Sequence, residues 1–144
     1  MKSTFDDIEA KKYPTDLAMR VYTSQLLGRE MDLVLHGGGN TSVKSDTHLY
    51  VKGSGWNLDT IEEPGFPAVD LEVLQAMAKL DHLSDTDMVA QQREALADKS
   101  SPNPSIEAIL HAIIPFKYVD HTHADAVVTI SNTPDGKKRL QELY

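Results

Sequence analysis

Hydrophobic positions along the chain switch between helical and strand spacing. In PTDLAMRVYTSQLLGRE, Leu17, Val21 and Leu27 share one face of a helix that Thr15 or Asp16 caps and Gly28 closes. Leu33-Val34-Leu35 is a short strand-type run that leads into three consecutive glycines. NTSVK and THLYVKG then read as two strands turned at Ser45-Asp46. DLEVLQAMAKL and SDTDMVAQQREALAD return to the helical period, with Asp70 and either Ser84 or Asp85 as caps. PSIEAILHAII predicts a third helix, with Asn103 as N-cap and Pro104 at its first position. Ile106, Leu110 and Ile113 form its packing stripe, and Pro115 stops it. FKYVDHTH is a strand. ADAVVTISN fits either helix or strand, because a short apolar run does not reveal its period. TPDG turns the chain and KKRLQELY starts a further helix. Residues 1–13 form a polar lead-in. Helices and strands intermix without a repeat or a low-complexity linker, which predicts one α/β layered domain over residues 1–144.

Composition narrows the function classes. With 22 acidic against 14 basic residues the formal net charge is −8, which leaves no basic excess to displace phosphate counterions. A nucleic-acid or anionic-membrane partner is therefore not expected. No apolar run approaches twenty residues, and the polar N-terminal stretch lacks the core of a signal peptide, so a cytoplasmic protein is expected. Cysteine is absent, so any transition metal must be held by His, Asp or Glu.

Candidate chemistry gathers at three places. In a strand, residues two apart point to one face, so His121 and His123 of HTH are able to present two imidazoles to one ion. They equally suit a partly buried sheet face. Glu107 and His111, four apart, share a helix face. Glu107 is explained either by the helix dipole or as a general base whose partial burial raises its pKa. His111 reads as a core histidine or as one that supports a ligand. HGGGNTSVK and VKGSGWNL are two glycine turns of the kind that bring backbone N–H groups to an anion, and each also suits simple hairpin geometry. Lys52 either faces such an anion or is solvated, and Trp56 either covers a pocket or packs in a core. The first turn leads into strand-formers rather than a helix, which excludes a dinucleotide fingerprint, and no P-loop is present.

The order of these motifs is more specific than any one of them. LVLHGGGNTSVK, YVKGSGW, PSIEAILHAIIPFKYVDHTHADAV and NTPDG together resemble the class II aldolase/adducin family, from about Leu17 onward. The likeness is strongest to the aldolase domain of bifunctional rhamnulose-1-phosphate aldolase/alcohol dehydrogenases. This resemblance implies a three-layer α/β/α fold with a largely antiparallel sheet, in a homo-oligomer with sites at subunit interfaces. It implies Glu107 as catalytic acid/base and His121 and His123 as ligands of Zn2+ or another divalent metal. It further implies Gly39, Asn40, Ser54, Gly55 and Ser105 as the residues that hold a substrate phosphate. The implied reaction is reversible cleavage of a phosphorylated ketose, such as rhamnulose 1-phosphate, to dihydroxyacetone phosphate and an aldehyde.

Two departures qualify that expectation. Ile106 stands where some relatives carry a second phosphate-binding serine. The family's third histidine ligand lies downstream of the His-x-His pair, and no histidine follows His123. The chain is accordingly expected to be the N-terminal part of a longer domain, incomplete at its C-terminus and weakly active or inactive alone. Alternatives on the same fold are a sugar-phosphate 4-epimerase, a dehydratase, or a non-catalytic adducin-like assembly module.

Overall fold

The computed structural model describes residues 2–143. A four-stranded antiparallel sheet forms its centre, in the order β3-β2-β1-β4, with β1 at Asn40–Lys44, β2 at His48–Val51, β3 at Ala68–Asp70 and β4 at Tyr118–His121. Alternation along the strands builds two cores. Leu49, Val51 and Val69 point to one face, where they pack with Leu74 and Met77 of α3 (Leu71–Met77) and with Ala108 and Ala112 of α5 (Ala108–Ile113). Tyr50 points to the other face and joins Val21 and Leu17 of α2 (Asp16–Gly28), with Ile61, Phe66 and Trp56. The outcome is the three-layer α/β/α arrangement, and Trp56 belongs to a core.

Several local signals hold. Thr15 caps α2 by accepting from the Ala18 amide, Asp70 caps α3 through Val73, and Ser84 caps α4 (Asp85–Glu94) through Asp87. The β1–β2 hairpin turns at Ser45–Asp46, where the Ser45 amide donates to the His48 carbonyl. The ambiguous run after HTH is a helix, α6 (Asp125–Ser131), followed by α7 (Gly136–Leu143). Tyr144, the last residue of the expected final helix, lies outside the described residues. The lead-in contains one short helix, α1 (Asp7–Ala10), capped by the Asp6 carboxylate.

Three expectations are corrected. Leu33–Leu35 is not a strand: the Val34 amide turns back to the Glu30 carbonyl, and Leu33 offers its carbonyl to the His123 amide. Asn103 and Pro104 do not start α5. Pro104 bridges Gly53, the Asn103 carbonyl accepts from Ser54, and the helix begins only at Ala108. The later start changes which face is buried. Ile106, Leu110 and Ile113 are 64%, 50% and 53% exposed, while Ala108, His111 and Ala112 face inward. Small alanines let α5 lie close on the sheet and bring His111 to β1.

Gly28 ends α2 where the backbone of Leu58 and Asp59 approaches it closely. Its φ is not positive; instead a Cβ there would lie 2.2 Å from the Asp59 amide nitrogen and 2.5 Å from the Leu58 carbonyl carbon. Backbone cannot yield as a flexible side chain does. Gly28→Ala is expected to lower stability by about 2–3 kcal/mol in urea unfolding, well beyond a helix-propensity effect of opposite sign. An unchanged midpoint would contradict this account.

Candidate active site and metal-binding cluster

β1 is buried along nearly its whole length yet reads Asn-Thr-Ser-Val-Lys. Its polar side chains are spent in two directions. Thr41 turns to α2 and meets the Ser24 hydroxyl at 2.8 Å. Asn40 and Ser42 turn to α5, on the same face as Val119 and His121 of the paired β4. Ser42 meets His111 Nδ1 at 2.8 Å. Asn40 Nδ2 donates to Glu107 Oε2 at 2.9 Å and to the Ser105 hydroxyl. His121 Nδ1 lies 3.0 Å from the same Glu107 oxygen.

Glu107 occupies the N-cap position of α5 but makes no capping bond with its side chain. The carboxylate serves the site. Partial burial alone raises its pKa, but the Asn40 and His121 hydrogen bonds and the His121 charge outweigh that, so it sits below the usual carboxylate range. This reverses the elevated value expected from burial. Sequence reasoning missed it because the Asn40 contact joins residues 67 positions apart.

Donor atoms of Glu107, His111 and His121 all lie within 4.8 Å of one another. Spacing had left His111 open between core and supporting roles, and the structure makes it fully buried with Nε2 lacking any hydrogen-bond partner. His123 stands beside His121, with ring centroids 4.8 Å apart and planes at 56°. Two imidazoles sharing a tetrahedral ion place their centroids about 5 Å apart, given nitrogen–metal bonds near 2 Å. The group of Glu107, His111 and His121, which does not include His123, has the donor chemistry of a borderline divalent cation such as Zn2+.

Burial pushes the His111 pKa down to about 4, against the opposing charge of Glu107. The unfolded chain takes up this proton near pH 6.5 and the folded one near 4, so stability is present above 6.5 and is lost as pH falls between the two. By pH 4.5 this one group is expected to cost about 2–3 kcal/mol. Urea midpoints at pH 7.5 and 4.5 check it: His111→Gln should show a smaller drop than the wild type.

The glycine turns border this cluster. Gly39 has φ +74° and lies against the His121 carbonyl, where a Cβ would be 3.0 Å from the oxygen. Gly38 approaches His123 Nδ1. Gly55 has φ +85° in an open turn, and Ser54 beside it is exposed. The Gly53–Pro104 bridge and the bond from the Ser105 amide to the Lys52 carbonyl, 3.1 Å, tie this second turn to Ser105. Lys52 is only 7% exposed, and its ammonium has no hydrogen bond or ion pair among the described residues. Burial lowers its pKa, and the nearby Glu107 charge opposes that. Gly39, Asn40, Ser105, Glu107, His121 and His123 thus gather at one end of the β1–β4 pair. His36, with φ 54°, is exposed beside the glycine loop, and His48 and His82 lie away from the cluster.

A carboxylate held by an amide and an imidazole thus sits at one end of the β1–β4 pair, in an antiparallel sheet between α layers. The chain belongs to the class II aldolase and adducin N-terminal domain family, whose model matches residues 19–143. It is similar in structure to the N-terminal class II aldolase domain of a conserved protein from Thermoplasma acidophilum, with 40% identity, a TM-score of 0.78, and coverage of 93% of this chain and 63% of that one. It is also 34% identical to the uncharacterized oxidoreductase YuxG of Bacillus subtilis (strain 168), over all of this chain but 22% of that protein. The chain thus spans about a fifth of this curated relative. No helix among the described residues is long and apolar enough to cross a membrane.

Proposed function

We propose that this domain is a divalent-metal-dependent aldolase, cleaving a ketose 1-phosphate of the rhamnulose 1-phosphate type to dihydroxyacetone phosphate and an aldehyde. The observation that carries this reading is Glu107, an ionised carboxylate held at one oxygen, beside a cluster of imidazoles. Glu107 moves the proton to and from the carbon next to the substrate carbonyl. His121 and His123 would hold the cation, with His111 a third candidate donor. When bound, the cation would supply Lewis acidity to the substrate's carbonyl oxygen.

The phosphate end of the substrate meets a different set of groups. Lys52 carries an unpaired, nearly buried charge that an anion would neutralise. The Ser54 and Ser105 hydroxyls and the turns at Gly39 and Gly55 provide donors around it. These contacts position the substrate and are not themselves chemical steps. The exposed Ile106-Leu110-Ile113 face supports a homo-oligomer in this proposal, which light scattering checks.

Zinc titration followed by assay on a panel of ketose 1-phosphates tests the reading. The expected result is zinc uptake that His121→Ala abolishes, together with zinc-dependent release of dihydroxyacetone phosphate. Epimerised or dehydrated sugar phosphate as the product would replace aldol cleavage with one of the sister reactions. Wild-type protein that takes up no metal would leave the adducin-like scaffold as the better description.

A further inference from the structure

The resemblance assigns Asn40 to the substrate phosphate, yet its side chain is committed elsewhere. The NH2 group of Asn40 faces the Glu107 carboxylate and donates to Oε2 at 2.9 Å. The second N–H of that group goes to the Ser105 hydroxyl oxygen. Both donors are therefore used. The remaining Asn40 atom, Oδ1, is a buried acceptor without a partner, and a phosphate oxygen is itself an acceptor.

Ser105 shows the complementary pattern. Its oxygen accepts from Asn40 Nδ2 and from the Glu107 amide at 3.2 Å, while its own O–H makes no hydrogen bond among the described residues. That free donor is what an anion in the glycine turns would use. An O–H that donates to an anion becomes a stronger acceptor at its oxygen, so the Ser105–Asn40 bond tightens.

From this arrangement we infer that Asn40 is a positioning residue for Glu107: with His121 it holds Oε2, leaves Oε1 to carry the proton, and links that aim through Ser105 to the substrate's phosphate. Binding energy from the non-reacting end of the substrate is thereby used at the reacting end. The kinetic part rests on the aldolase reading above; the link from anion to Asn40 does not.

Two variants test it. Asn40→Leu removes the donors at similar volume and without charge. Ser105→Ala removes the relay while keeping Asn40. The first readout needs no turnover: the Asn40 side-chain amide resonances, identified by their loss in Asn40→Leu, are followed in a titration with inorganic phosphate. They are expected to shift in the wild type and stay put in Ser105→Ala. Phosphate affinity should change less than about threefold in Asn40→Leu, since the lost bonds run to protein groups. The second readout is kinetic: kcat for the ketose phosphate is expected to fall roughly 10–100-fold, the range for one hydrogen bond to a charged group, with KM nearly unchanged. Asn40→Gln, which keeps the amide, should recover part of kcat where a purely structural defect would not. A tenfold or greater loss of phosphate affinity in folded Asn40→Leu would make Asn40 a phosphate ligand and overturn the inference. Resonances that ignore phosphate in the wild type would overturn it too. Absence of wild-type turnover with the resonance shifts intact would instead remove the aldolase reading.

Discussion

Glu107→Gln is expected to reduce metal-dependent release of dihydroxyacetone phosphate by about 10²–10⁴-fold, the usual contribution of a positioned general acid–base. Stability should barely change. Although Glu107 begins α5, its side chain makes no capping bond, so the helix does not depend on it. Glutamine keeps the length and volume of the side chain and can still face Asn40 and His121. What it lacks is an oxygen able to take a proton. The decisive comparison is rate per bound metal, which separates a lost base from a lost cation. A rate within threefold of wild type at equal zinc content would move the proton transfer to another group.

Arg20→Ala should be the most destabilising of these substitutions, by about 3–5 kcal/mol in denaturant unfolding. Arg20 is 2% exposed, under the sheet. Its guanidinium donates to Ser24 at 3.1 Å and Thr23 at 2.7 Å, reaches the Ser42 carbonyl at 3.4 Å, and pairs with Asp120 at 2.7 Å. Removing the side chain leaves a cavity and strands several of these acceptors. Asp120 is half exposed, so water takes over its solvation and little of the loss lies there. Burial depresses the Arg20 pKa, opposed by Asp120, which is the signature of a charge that costs something to place. Arg20→Met, which fills much of the space without a charge, should therefore recover a substantial part of the loss. If methionine proves as damaging as alanine, the hydrogen bonds rather than the packing dominate. Asp120 precedes His121 on β4 with its side chain on the opposite face, so this network also anchors the strand that carries the site.

What was legible in the chain was local. Thr15, Asp70 and Ser84 announce helix starts because a short polar side chain bonds an amide two or three residues on. Ser45-Asp46 announces a hairpin, and Pro115 a helix end, for equally short-range steric reasons. The order of glycine turns, Glu107 and HTH was sufficient to point to the family. Distance-dependent questions were decided only by tertiary structure. Leu33–Leu35 has strand composition but no partner to pair with, and Pro104 left the expected helix because Gly53 bridges it. Ile106, Leu110 and Ile113 have helical spacing, but spacing names a face without saying whether the sheet lies under it; the sheet lies under Ala108, His111 and Ala112. Burial of Arg20 and Lys52 followed no sequence signal, since both residue types are ordinarily solvated. By itself the sequence determined which side chains are candidates for chemistry and where capped helices start, because those depend on residue type and on neighbours within a few residues. Only the tertiary structure decided that Asn40, Ser105, Glu107 and His121 meet, because hydrogen bonds form between atoms about 3 Å apart, however many residues separate them.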